Sequence, residues 1–116
     1  MELVIIVEGK KDKAKLKRLL SEDVKILCTF GTPGSDRLHL LQKHAGTLPI
    51  YLFTDNDSSG KRIRFLLREL FPDAEQIYTR KGYAGVEGTP DEYLIQQLEK
   101  ANLEEFIIYP NPDITP

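Results

Sequence analysis

The chain has 116 residues, 41% hydrophobic and 29% charged, the size of one ordinary domain; two domains would each be too small to bury a core. No apolar run approaches the ~20 residues of a membrane helix, Leu3 to Val7 is too short for a signal peptide, and the lone Cys28 can make neither an internal disulfide nor a finger-type zinc site, so a cytoplasmic, reducing setting is expected. The net charge of −2 hides two parts: Met1 to Lys81 carries 15 Lys+Arg against 11 Asp+Glu, and Gly82 to Pro116 carries 1 against 7.

The first run, Leu3-Val4-Ile5-Ile6-Val7, is continuous, apolar and β-branched, which predicts a central parallel strand covered on both faces. A helix follows from about Lys10 to Leu20, with Leu16, Leu19 and Leu20 inward. Val24 to Cys28 is a second strand, and Phe30 to Ser35 after it is either a phosphate loop or a turn. Leu38, Leu41 and Ala45 mark a second helix from about Asp36 to Ala45, on which His39 and His44 read as solvated. Ile50 to Thr54 is the third strand. Ile63, Leu66, Leu67 and Leu70 fall at i, i+3, i+4 and i+7, the inner side of a third helix stopped by Pro72. A weaker strand lies around Gln76-Ile77-Tyr78. Thr89-Pro90-Asp91-Glu92 predicts a fourth helix to about Ala101, with Thr89 as cap, Pro90 in the first position, Glu92 closing a capping box and Asn102 as the stop. Phe106 to Tyr109 is apolar and ambiguous in type.

This alternation predicts an α/β fold of about four parallel strands with helices on both faces, in which ligands bind outside the carboxyl ends of the strands. In an order 2-1-3-4, strands one and three are neighbours. Glu8-Gly9-Lys10 leaves the first and Asp55-Asn56-Asp57-Ser58-Ser59-Gly60 leaves the third, so three carboxylates share one rim. Asp55 and Asp57 can turn together onto one hard cation; Mg²⁺, with Mn²⁺ as a substitute, takes one or two carboxylates plus waters and phosphate oxygens. Glu8 can complete that shell or act as an acid or base, and a glutamate directly after an apolar strand gains nothing in packing. Gly9 and Gly60 let backbone N–H groups approach a phosphate at the starts of helices. Lys10, Lys11, Lys61, Arg62, Arg80 and Lys81 supply positive charge for a phosphate backbone. Each feature also has an ordinary explanation: Asp57, Ser58 or Ser59 is a natural helix cap, a basic run is usually a solvated helix face, and Tyr83 suits packing or base stacking better than nucleophilic attack.

Val4 to Lys10 with Asp12, paired with Ile50 to Asp57 with Ser59-Gly60, resembles the Toprim domain shared by bacterial primases, topoisomerases, recombination mediators and several nucleases. The likeness covers roughly Leu3 to Ala101, and implies a single Rossmann-like Toprim domain over residues 1–109 with 110–116 as an extended tail. It also implies Glu8 as the catalytic acid or base, with Lys10 beside it, and Asp55 and Asp57 as Mg²⁺ ligands. The nearer likeness is to the Toprim half of the bacterial ribonuclease that matures ribosomal RNA, through Lys10, Asp12 and Gly85-Val86-Glu87, which brings Asp12 and Glu87 forward as further acidic groups. Other domains carried by Toprim enzymes have no recognisable counterpart.

The expected function is Mg²⁺-dependent phosphodiester chemistry on nucleic acid, RNA rather than DNA. The alternative is a non-catalytic nucleic-acid-binding module that works with a partner protein. A phosphoacceptor receiver shares the sheet and the acidic rim but places two acids after its first strand, where Glu8 here is followed by glycine and lysine.

Overall fold

All of Leu3–Val7 is buried, no residue more than 1% exposed, because this strand, β1, lies inside the sheet with both faces covered. The computed structural model describes residues 1–110, so the expected tail falls outside it from residue 111 onward. In chain order β1 is followed by α1 (Lys10–Leu19), β2 (Val24–Cys28), α2 (Ser35–Ala45), β3 (Ile50–Leu52), α3 (Ser58–Leu70), β4 (Glu75–Gln76) and α4 (Asp91–Lys100), with a 3₁₀ turn at Glu104–Phe106. The sheet has the order β2-β1-β3-β4 and is parallel throughout, with Ile5 opposite Ile26 on one side and Tyr51 on the other. No helix among the described residues is long and apolar enough to cross a membrane.

The two faces of β1 are divided by the period of two. Leu3, Ile5 and Val7 pack with Leu16 and Leu19 of α1 and with Leu94 and Leu98 of α4. Val4 and Ile6 pack with Leu41 and Ala45 of α2 and with Ile63 and Leu67 of α3. Each helix therefore lands on the face its apolar stripe requires.

Two predicted boundaries shift, each for a tertiary reason. β3 ends at Leu52; Phe53 N still donates to Ile6 O at 2.9 Å, but Thr54 turns away, its hydroxyl donating to Gly60 O at 3.1 Å. The fourth helix is capped by Pro90, not Thr89. Thr89 is fully buried and its hydroxyl donates to Gly85 O at 2.5 Å, so the expected capping box does not form. Asn102, with φ of 63°, ends α4 in the left-handed conformation that asparagine tolerates. The ambiguous Phe106–Tyr109 segment makes an antiparallel bridge from Ile107 to Leu20, sealing the face under α1.

Arg64 belongs to a run that reads as basic surface, yet it is 6% exposed. Its guanidinium donates to the carbonyls of Leu52, Thr54 and Ile77 and to the Gln76 side chain, and lies 4.2 Å from the centre of the Tyr78 ring. It thus satisfies carbonyls that β3 and β4 would otherwise leave bare as their ladder ends. Burial pulls its pKa down, but a guanidinium keeps its proton. Arg64→Met should cost about 3 kcal/mol, because several buried acceptors lose their donor at once. Chemical denaturation monitored by circular dichroism reads this; a loss below about 0.5 kcal/mol, an ordinary surface effect, would mean that water replaces the guanidinium.

Candidate functional site

The carboxyl ends of β1 and β3 are tied together by a side chain. Glu8 Oε2 accepts a hydrogen bond from Asp55 N at 2.5 Å, so the two acids placed together by the strand order do meet. Glu8 O in turn accepts from Phe30 N at 2.8 Å, past the end of β2.

Asp55 sits in a cradle of close backbone. A Cβ on Gly60 would lie 2.0 Å from Asp55 O, and one on Gly85, whose φ is +68°, would lie 2.1 Å from Asp55 Oδ1. The backbone N–H of Val86 favours the ionised form of the Asp55 carboxylate. Oδ1 is nevertheless a buried oxygen without a hydrogen-bond partner.

The other carboxylates divide into anchors and free groups. Asp57 caps α3, accepting from Gly60 N at 2.7 Å. Asp12, 8% exposed, accepts from Gly9 N and from Glu87 N, each at 3.0 Å, and so stitches α1 to the loop before α4. The N–H groups of Gly9 and Gly60, expected to face a phosphate, are thus already engaged, by Asp12 in the first turn of α1 and by the capping Asp57 of α3. Glu87 points outward, 3.7 Å from Lys11 Nζ.

Glu8, Asp55 and Asp57 share the rim without closing on a point, and no three His, Cys, Asp or Glu side chains among the described residues form a ready metal cluster. The charge is present all the same. Burial pushes the Glu8 pKa up, partly offset by the bond from Asp55 N and reinforced by the charges of Asp55, Asp57 and Asp12. Burial raises Asp55 as well, with Asp12 and Asp57 adding repulsion. Among the described residues no ion pair reaches any of the three. A hard cation fits this donor set: oxygen ligands only, one of them orphaned, in a negative field.

Across a recess of about 250 Å³ from Asp55 and Asp57 stand Lys61, Arg80 and Lys81. Arg80 stacks on Tyr93 at 4.1 Å, and Tyr83 lies 5.5 Å from the same ring, so Tyr83 is packed as a stacking partner. The basic run of α1 divides by helix face: Lys15 holds the carbonyls of Glu87 and Thr89, Arg18 pairs with Asp91 at 3.4 Å, and Lys10 and Lys11 remain exposed at the rim. Cys28 is buried, its thiol donating to Gly9 O at 3.5 Å and its pKa raised by burial, which leaves it unreactive. His39 and His44 are both exposed.

The Toprim domain family matches residues 3–85. A solved structure described as a small TOPRIM domain protein from Bacillus stearothermophilus is 39% identical, with a TM-score of 0.79, covering 88% of this chain and 86% of that one. The Bacillus subtilis protein YusF, described as uncharacterized, is 34% identical over 94% of this chain and 75% of its own length. Ribonuclease M5 of Lactococcus lactis is 36% identical over 82% of this chain. The match spans only 50% of the Lactococcus protein.

Two measurements test the rim. Both raised acids hold protons more tightly folded than unfolded, so stability is lost as pH rises from their ordinary values of 4.5 and 3.8 through the raised ones. In EDTA, Glu8→Gln and Asp55→Asn should flatten that decline and melt at or a few degrees above the parent at neutral pH, and added Mg²⁺ should favour the parent again; a parent that is the most stable of the three in EDTA would refute the uncompensated charge. Gly85→Ala should cost about 1–3 kcal/mol from positive φ alone and displace the Asp55 carboxylate, seen as lost Mg²⁺ stabilisation. An alanine variant that keeps both would show that the cradle is not needed.

Proposed function

Because the chain belongs to the Toprim domain family, we propose that its strand-end rim performs divalent-metal-dependent phosphodiester chemistry on nucleic acid, RNA in preference to DNA, as the similarity to proteins named Ribonuclease M5 suggests. The observation that carries this reading is Asp55 Oδ1, buried and without a partner beside two more acids that form no ion pair among the described residues. Asp55 and Asp57 would hold Mg²⁺ or Mn²⁺, with Glu8 within reach of the same charge. The bound ion would polarise a phosphate oxygen and lower the pKa of a water.

The chain's own groups supply the rest. Glu8 has one oxygen on Asp55 N, leaving the other to take or give a proton, and its raised pKa moves it toward the range in which a carboxylate works as acid or base near neutrality. Lys61, Arg80 and Lys81 line the recess with Asp55 and Asp57 and Lys10 is exposed after β1, positive charge suited to positioning a phosphate backbone to which the exposed Arg62 would add, and Lys11, Asp12 and Glu87 link that surface to the loop holding Gly85. The cytoplasm is the compartment this substrate implies. A second reading is a nucleic-acid-binding module acting with a partner protein; the chain spans about half the length of the Ribonuclease M5 proteins it matches, 50% and 57% for those of Lactococcus lactis and Bacillus cereus.

Incubation with Mg²⁺ or Mn²⁺ and a panel of structured RNAs, single-stranded DNA and supercoiled plasmid separates the two. Cleavage should appear on RNA. Glu8→Gln should cut turnover by roughly 10²- to 10⁴-fold with nucleic-acid binding intact, while Asp55→Asn and Asp57→Asn should weaken metal binding, an amide being a poorer ligand for a hard cation. Binding without cleavage would support the module, and neither binding nor cleavage would reject both.

A further inference from the structure

Away from the acidic rim, two recesses lie along the outer edge of β2. β2 ends the sheet, with no strand on its far side among the described residues. Two clefts of about 490 and 460 Å³ run beside it and share Lys13, Leu27 and His44. Lys17 and Lys25 line one and Arg37 the other, and the one acidic side chain in either is Glu22. None of Lys13, Lys17, Lys25 and Arg37 forms an ion pair among the described residues.

Where the groove meets the rim stands Phe30. Its φ is 56°, a conformation that aromatic residues rarely adopt and that tends to persist where function requires it. Its N–H is held by Glu8 O at 2.8 Å, so its place is fixed to the rim glutamate. The side chain gains little packing in return, being 50% exposed, and the Arg37 guanidinium lies over it, 4.7 Å from the ring centre. An aromatic ring held outward beside a row of unpaired cations is the combination that single-stranded nucleic acid recognises, bases stacking on the ring while phosphates follow the charge.

We propose that the β2-edge groove holds a single-stranded segment of the nucleic acid, with an unpaired base stacked on Phe30 and flanking phosphates on Lys13, Lys17, Lys25 and Arg37. This rests on the nucleic-acid reading of the rim and adds to it a path and a preference: the strand passes Glu8 on the β2 side, opposite the side of Lys61 and Arg80, and its bases are unpaired there. A second copy of the chain is a poor occupant, because edge-to-edge pairing would set these cations against one another. A fully paired duplex offers no free base to the ring.

Fluorescence anisotropy in EDTA, with a labelled single-stranded RNA dodecamer and a fully paired duplex of the same length, tests this on the parent chain and three variants. Phe30→Gly removes the ring and relieves the positive φ, so it should keep its melting temperature within a few degrees; it should weaken single-strand binding about fivefold or more and leave the duplex unchanged. The double variant Lys13→Ala/Lys25→Ala should lower the slope of log affinity against log salt for the single strand by about 1.4, the value for two lost phosphate contacts. If both variants bind like the parent while Lys61→Ala/Arg80→Ala loses affinity, the groove inference is overturned and the rim reading stands. If the parent binds neither RNA at low salt, the nucleic-acid reading fails and the groove inference with it.

Discussion

A strand buried on both faces carries no chemistry along its length, so polar function in this fold is forced to strand ends. β1 is the extreme case, five side chains with at most 1% exposure, and the first residue free of that constraint is Glu8. What Glu8 does there organises the rest: its side chain holds the backbone of Asp55 and its carbonyl holds the backbone of Phe30. The ends of three neighbouring strands are thereby set by one residue, which is why the acidic rim and the β2-edge groove meet at the same place.

The rim concentrates negative charge and keeps its own cations busy elsewhere. Arg64 is near enough for its titration to feel Glu8, but its donors go to the carbonyls of β3, Thr54 and Ile77. Lys15 and Arg18 are turned to the loop and helix at Thr89 and Asp91. With Gly85 and Gly60 bringing backbone against Asp55, the carboxylate is confined while one of its oxygens stays unpartnered. Such an arrangement is unfavourable for the protein alone and would become favourable with a cation bound, the usual direction of the stability cost at functional sites.

Elements with an unbroken apolar period were legible in the sequence. β1 and β2 have the predicted ends, and α3 buries Ile63 and Leu67 as the i, i+4 pattern requires. Alternation pointed to the parallel sheet, and the order 2-1-3-4, taken there as a condition, is the one found, so that Glu8 and Asp55 meet. What local pattern could not show was competition for hydrogen bonds. Thr89 looks like a cap until the fold buries it against Gly85, and the Gly9 and Gly60 N–H groups look free until Asp12 and Asp57 take them. Arg64 was misleading in a different way, since its neighbours in sequence are basic. The signal was there in its spacing: three residues before Leu67, it lies on the buried side of α3. Gly85 stood in a recognisable Gly-Val-Glu, but its contact with Asp55 spans 30 positions of sequence and no local rule reports it.

The recess at Lys61, Arg80 and Lys81 and the groove at Lys13, Lys25 and Arg37 flank the acids on opposite sides, so a polyanion crossing the rim meets negative charge at its centre, which a bound cation would neutralise. A cation at Asp55 is therefore the central claim. The direct measurement is anomalous diffraction from crystals soaked in MnCl₂. A peak should appear against the free Asp55 oxygen, at roughly the 2.0 to 2.3 Å typical of hard cations on carboxylates, and should vanish in Asp55→Asn. Manganese found only at remote surface carboxylates such as Glu104 or Glu105, with none at Asp55, would contradict the account.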